Sequence, residues 1–168
     1  IIKAHNLLLA RKYPIPPEHV SNGKFIVMRS NLRWCSGGFE FTCWNGDIVR
    51  GAFIIDAHDR EIIVWRAVVN VGISGSEIRD LVLEAAERRF GTYRAPAVIE
   101  MLSDNGSPYI AKDIQIFARQ LGRIPCFTPV QSPQSNGISE AFVKTLKRDY
   151  VEVMPMPDAP TVLRLIGG

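Results

Sequence analysis

The feature that most constrains the fold is a segment whose side chains alternate with a period of two. From Trp34 to Cys43, small or apolar residues at odd positions alternate with mostly polar ones at even positions. The next pair, Asn45-Gly46, is the strongest short signal for a hairpin turn. The β-branched stretches Ile48–Ile55 and Ile62–Val69 favour two further strands. A three-stranded antiparallel meander is therefore the expected beginning of the fold.

After the meander the apolar period becomes helical. Ser74 and Glu77 form a capping-box pattern, and Gly91 offers a helix stop. Further on, short apolar runs at 97–102 and 124–127 predict two more strands. A helix face at 114–121 lies between them, a loop is predicted at 128–137, and a helix is predicted from Ile138 to about Tyr150. The class is α/β, with a five-stranded mixed sheet, three antiparallel strands then two parallel, flanked by helices.

Length and composition are those of one globular unit of 168 residues. We expect residues 1–30 to be an arm or linker, 31–152 the core, and 153–168 a truncated or poorly ordered tail. The three cysteines show no zinc-site spacing, and no apolar run is long enough for a membrane span. These features predict a cytoplasmic protein with no membrane partner. A net charge of +3 permits a polyanionic partner without arguing for one.

Two carboxylates are candidates for chemistry. Asp104 follows a predicted strand, at the end where open α/β sheets bind ligands, but Asp104-Asn105-Gly106 is also ordinary turn chemistry. Glu140 falls in the first turn of the predicted last helix, where a carboxylate also serves as a cap or complements the helix dipole. Neither position by itself separates the functional role from the structural one.

The rest of that helix favours a functional role for Glu140. Lys144 and Lys147 lie on the same helical stripe as Glu140 and are expected to be exposed, whereas Phe142, Leu146 and Tyr150 turn toward a core. A carboxylate beside two lysines fits a metal site next to a phosphate backbone. The alternative is an exposed helix face with ordinary Glu–Lys pairing.

Two sequence blocks carry a family resemblance. The segments 103–107 (Ser-Asp-Asn-Gly-Ser) and 132–140 (Ser-Pro-Gln-Ser-Asn-Gly-Ile-Ser-Glu) resemble the second and third blocks of the integrase-like insertion-sequence transposases. The thirty-five residues 105–139 separate Asp104 from Glu140, which is the interval found in that family. The resemblance continues through 141–150 and covers about 7–158, where the chain is similar to a second open reading frame product of such elements.

The resemblance implies a ribonuclease-H-like fold and a bacterial DNA-recombining enzyme. Three carboxylates would hold two Mg²⁺ or Mn²⁺ ions, which suit phosphodiester chemistry because one activates the attacking oxygen and the other stabilises the leaving oxygen. The implied partners are element-end and target DNA and further copies of the chain, with no small-molecule substrate. Asp104 and Glu140 become the catalytic and metal-binding residues, and Asn136, Lys144, Lys147 and Arg148 the expected DNA contacts.

The first strand departs from the family pattern. Where the family has Trp, two residues and Asp, this chain has Trp34-Cys35-Ser36-Gly37, so Gly37 occupies the position of the first catalytic carboxylate. Asp56 is the nearest conceivable substitute, although the family carries an aspartate there as well as at the first position. We therefore expect weak binding of at most one ion, and little or no activity.

The sequence leaves three functional hypotheses. The first is metal-dependent end cleavage and strand joining, impaired by Gly37. The second is a catalytically silent DNA-binding or oligomerisation remnant of a transposase. The third, a ribonuclease or resolvase, is weaker because the fold alone does not fix the substrate and the block at 132–150 is typical of transposases.

Overall fold

A computed structural model describes residues 27–103, 126–127 and 133–167. Its elements in chain order are β1 (Arg33–Thr42), β2 (Ile48–Asp56), β3 (Ile62–Val69), α1 (Gly75–Phe90), β4 (Glu100–Ser103), β5 (Cys126–Phe127), α2 (Pro133–Leu146), which continues as a π-turn (Lys147–Val151), and α3 (Ala159–Gly167). The predicted helix at 114–121 and most of the predicted arm lie outside the described residues. No helix in the described part of the chain is both long and apolar enough to cross a membrane.

The predicted hairpin is confirmed and sets the register of the sheet. Gly46 has φ +92°, a left-handed conformation that glycine adopts without strain, and its N–H donates to the Cys43 carbonyl at 3.0 Å. From the Thr42–Ile48 pair, the β1–β2 ladder runs back without interruption to Trp34 and Asp56. β3 pairs antiparallel with β2, which completes the predicted meander.

The sheet is mixed, as predicted, with the strand order β3-β2-β1-β4-β5. β4 pairs parallel with β1, and the two-residue β5 pairs parallel with β4 at the edge. Four strands of four or more residues thus form the body of the sheet. β4 begins at Glu100, later than the predicted Ala97, because its ladder with β1 starts only at the Arg33–Glu100 pair.

Alternation along the strands gives the sheet two apolar faces. One face packs against α1, whose predicted capping box at Ser74 and left-handed stop at Gly91 are both present. The opposite face packs against α2 and α3. The buried residues of the α1 face include Trp34, Ile54, Val64, Ile78, Leu81 and Val82, and those of the α2 face include Cys35, Phe39, Phe53, Ile55, Leu146 and Val162.

The start of α2 corrects the predicted loop at 128–137. Residues 133–137 are helical, because Pro133 occupies the first position of the helix, where its missing N–H has no intrahelical acceptor and its fixed φ suits the helix. Glu140 is consequently the eighth residue of α2 and not a first-turn residue. A capping role for Glu140 is therefore excluded.

The tail also differs from expectation. Residues 159–167 form α3, and its buried Ala159 and Val162 join the apolar face under α2, so the expectation of poor order is wrong for this part of 153–168. Asp47, in the β1–β2 turn, accepts a hydrogen bond from the Ala159 N–H at 3.2 Å. The hairpin therefore holds the beginning of α3.

We predict that Asp47→Asn lowers the melting temperature at neutral pH, because Asp47 also accepts hydrogen bonds from the side-chain amides of Asn45 and Asn70. These bonds and the one from Ala159 lower the pKa of Asp47. Its contribution is thus present above the unfolded pKa of about 3.9 and is lost as the pH falls through the lower folded value.

Thermal unfolding of the parent and the variant between pH 7 and pH 2 checks this prediction, and the two curves should converge at the acid end. The control is Glu152→Gln, which makes the same charge change at an exposed residue. If both substitutions lower the melting temperature equally, the loss of one negative charge, and not the loss of the Asp47 hydrogen bonds, explains the effect.

Candidate active site

A shallow cavity of about 280 Å³ lies between β1 and α2. The strand contributes Gly37 and Gly38, and the helix contributes the remaining lining residues, Ser139, Glu140, Val143, Lys144 and Lys147. Gly37 and Glu140 therefore lie at one place. Ser139 and Val143 were not predicted, although both lie on the helix face next to Glu140.

The helix wall of the cavity carries its charges. Glu140, Lys144 and Lys147 are exposed and follow one another at intervals of four and three residues, so one stripe of α2 presents all three. Ser139 and Leu146, on the adjoining face of the helix, are buried against the sheet. Burial of that face fixes the direction of the charged stripe, and Leu146 is buried as the periodicity predicted.

The strand wall at Gly37 is closed by an aromatic ring. A Cβ atom added at Gly37 would lie 2.8 Å from Phe53 Cζ and 3.0 Å from Ser139 Cβ. Phe53 is the cross-strand partner of Gly37, is fully buried, and packs edge-on against Phe142 with 4.4 Å between ring centroids. A side chain that begins at the place of the first expected carboxylate would thus meet hydrocarbon first.

Asp56 does not replace the missing carboxylate. It pairs with Trp34 and is three residues from Phe53, so its side chain lies on the α1 face, opposite the cavity. It is fully buried, and its carboxylate accepts hydrogen bonds from the N–H groups of Asn31 at 2.7 Å and His58 at 2.8 Å. Asp56 therefore stabilises the turn between β2 and β3.

Comparison with known proteins decides the family. Residues 28–133, more than half of the chain, match the model of the integrase core domain. The chain is 62% identical over 164 residues to an uncharacterized protein of insertion element IS136 from Agrobacterium fabrum, covering 98% of this chain and 84% of that protein. The chain belongs to the integrase core-domain family of insertion-element proteins.

A transposase is among the similar proteins. Transposase InsD of insertion element IS2A/D/F/H/I/K from Escherichia coli is 47% identical over 165 residues. The match covers 98% of this chain and 54% of that transposase, so the chain spans about half of its length.

Solved structures show the fold. The catalytic domain of Mos1 transposase, determined with Mg and with Mn, superposes with a TM-score of 0.63 in both cases, covering 82% of this chain and 69% or 68% of that domain. Sequence identity is only 12% and 10%, so this likeness concerns the fold alone. The integrase core domain described here is ribonuclease-H-like.

Two expected site residues of this integrase core are not tested by the structure. Asp104 lies outside the described residues, and the side chain of Asn136, within α2, is also not described. β4 ends at Ser103, which pairs with Ser36, the neighbour of Gly37. The joint role of Asp104 and Glu140 in metal binding, which the resemblance implies, stays a prediction.

Arg148 differs from the two lysines in its surroundings. Its guanidinium donates to Asp149, with Nε–Oδ1 2.5 Å and Nη2–Oδ2 2.8 Å, and it is not part of the cavity lining. The Asp149 bond raises the pKa of Arg148, and the same bond lowers the pKa of Asp149. An exposed local pair of this kind leaves less net positive charge for a phosphate than Lys144 or Lys147.

The described residues do not fit a complete two-ion site. Among them, Glu140 is the sole carboxylate lining the cavity, and no group of three or more His, Cys, Asp or Glu side chains in the described ranges is placed to hold a metal. The integrase superfamily generally uses divalent metal ions. Gly37, at the strand wall of the cavity, contributes no side-chain ligand.

We predict that Gly37→Ala is less stable than Gly38→Ala, because the added methyl at 37 meets Phe53 and Ser139, whereas the nearest atom at 38 is 3.4 Å away. Phe53 Cζ is the tip of a buried side chain, so the added methyl group forces the ring to shift by some tenths of an ångström. We expect this shift to lower the free energy of unfolding by about 1 kcal/mol. For a domain of this size that is about 2–4 °C in melting temperature.

Thermal unfolding of both variants measures the difference between their melting temperatures. In a Phe53→Leu background, which lacks the end of the ring, this difference should be smaller. A Gly37→Ala variant at least as stable as Gly38→Ala would show that the ring yields without cost.

Proposed function

We propose that this chain is the DNA-acting core of an insertion-element transposase whose end cleavage and strand joining are impaired by Gly37. The supporting observation is the cavity itself, in which Glu140, Lys144 and Lys147 face the strand position that carries the first carboxylate in the family. The assignment to the integrase core-domain family supports DNA integration as the general activity. The core is proposed to begin at 31, preceded by the arm at 1–30, and α3 packs against it beyond the expected end at 152.

Asp104 and Glu140 are the proposed remaining catalytic carboxylates. Divalent ions such as Mg²⁺ or Mn²⁺ would supply charge stabilisation for the attacking and leaving oxygens of a phosphodiester. Losing one carboxylate removes both an oxygen ligand and a negative charge that favours cation binding. We therefore propose that this chain binds at most one ion, and weakly.

Lys144 and Lys147 are the proposed main phosphate contacts. Their exposed ammonium groups follow the same stripe as Glu140, so a strand lying along α2 meets both cations beside the cavity. Asn136 and Arg148 are proposed as further contacts, with the charge of Arg148 partly offset by Asp149. Element-end and target DNA are the proposed substrates, so action in the bacterial cytoplasm and assembly into a homo-oligomer belong to the same proposal.

One observation favours a second candidate function. Phe53 fills the space at Gly37 with a buried ring, which suits a protein that has given up cation-dependent chemistry but keeps its fold and basic helix. In that case the chain is a catalytically silent DNA-binding or oligomerisation remnant. An assay for metal-dependent cleavage of element-end DNA separates the two candidates, since only the impaired transposase core would show residual cleavage.

We predict that Lys144→Ala and Lys147→Ala each lower the slope of log affinity against log salt by roughly one unit, because each removes one phosphate contact. Fluorescence anisotropy with labelled DNA between about 50 and 200 mM salt gives the slope.

The matched control is Arg94→Ala, an exposed cation in the loop after α1, beside the core cluster on the other face of the sheet. Arg88 and Arg89 are unsuitable because they pair with Glu84 at 2.7 Å and Glu61 at 3.0 Å. If Arg94→Ala lowers the slope as much as the lysine variants do, binding comes from diffuse charge and the proposed site is wrong.

We predict that Gly37→Asp strengthens Mn²⁺ binding by about tenfold or more, because it restores an oxygen ligand and a negative charge beside Glu140. Isothermal titration calorimetry measures the change directly and does not depend on the rest of the transposase.

The paired variant Gly37→Asp/Phe53→Leu covers the case in which the aspartate alone packs badly, since it removes the ring end that a Cβ atom meets. Adding Glu140→Gln should abolish the gained affinity. If neither aspartate variant gains affinity while both fold, the proposed ligand positions are wrong.

A further inference from the structure

The π-turn at the end of α2 exposes an aromatic residue that periodicity predicts to be buried. In an α-helix Tyr150 would lie four residues beyond the buried Leu146, on the same side. In this chain residues 147–151 form a π-turn, closed by a hydrogen bond from the Glu152 N–H to the Lys147 carbonyl at 2.9 Å. Val151 packs against the core in place of Tyr150, and Tyr150 is 43% exposed.

The exposed ring lies next to the proposed DNA contacts. Tyr150 follows Lys147 by three residues within the same π-turn, and both residues are exposed. Lys147 lines the cavity, and Lys144 precedes it by one turn. Along α2 and its π-turn, the exposed residues thus include a carboxylate, two lysines and then an aromatic ring.

This order of groups matches the physical needs of a single nucleic-acid strand. Surfaces that bind unpaired nucleotides combine cations along the backbone with aromatic rings on which bases stack. Lys147 and Tyr150 are exposed residues of one helical turn, so a phosphate and a neighbouring base of one strand can reach the two side chains. Single π-turns inside α-helices occur frequently at functional sites, where they redirect a side chain.

We propose that Tyr150 is a DNA-positioning residue, which stacks on an unpaired base of the strand whose phosphates Lys144 and Lys147 bind. The inference rests on the proposed function, because those lysines must bind the backbone for the ring to meet a base. The ligand class is DNA with unpaired nucleotides, such as a frayed or processed end. Tyr150 acts by stacking and not by hydrogen bonding or charge.

The test measures binding of a labelled single-stranded oligodeoxynucleotide and of the blunt duplex of the same sequence. Tyr150→Ala should weaken single-strand binding by about fivefold or more, since stacking on one base contributes about 1–3 kcal/mol. The loss for the blunt duplex should be smaller, and the salt slope should stay unchanged because no charge is removed. Tyr150→Phe keeps the ring and should bind within about twofold of the parent.

Tyr93→Ala is the matched control, because Tyr93 is 53% exposed and lies beside the cation Arg94 in the loop after α1, away from the cavity. Binding by Tyr150→Ala equal to that of Tyr93→Ala overturns the proposal. So does an equal loss in Tyr150→Phe, which would assign the effect to the hydroxyl group. Because Tyr150 is exposed, its variants should keep the parent melting temperature.

The lysine variants distinguish this inference from the proposed function. If Lys144→Ala and Lys147→Ala lower the salt slope and Tyr150→Ala has no effect, stacking is wrong and the DNA site stands. If none of the three variants changes DNA binding, the proposed DNA site is wrong, and so is the proposed role of Tyr150.

Discussion

The antiparallel register between β1 and β2 is the constraint on which the rest of the structure depends. The turn at Asn45-Gly46 fixes the Thr42–Ile48 pair, and every later pair follows from it. Because side chains alternate between faces, this register decides that Gly37 and Phe53 face α2 while Trp34 and Asp56 face α1. The position of the cavity and the isolation of Asp56 from it both follow from one turn.

Much of the fold could be predicted because local signals and tertiary structure agree. Alternation, the Asn-Gly turn and the capping box at Ser74 each specify a backbone conformation over a few residues. The cavity was predictable for a similar reason, since Glu140 and the lysines share one side of a helix whose other side has to be buried. The family blocks then linked that side to Gly37.

The features that the sequence did not predict depend on less local physics. A proline predicts a loop unless it occupies the first position of a helix. Pro133 occupies that position, which depends on tertiary packing and not on the local sequence. Periodicity predicts that Tyr150 packs against the core, because it assumes a regular α-helix. In the π-turn, Val151 packs there instead. Phe53 was missed, although counting back from the hairpin turn pairs it with Gly37.

The pairing of glycine with phenylalanine also occurs a second time in the same ladder. Gly37 faces Phe53 and Phe39 faces Gly51, and a Cβ atom at Gly51 would overlap the ring of Phe39. A slip of β1 by two residues would preserve the faces of the sheet, but in one direction it would set Gly37 against Gly51, and in the other direction it would set Phe39 against Phe53. The first pairing leaves a void and the second crowds two rings. Gly37 therefore helps to specify the alignment of the two strands as well as lining the cavity.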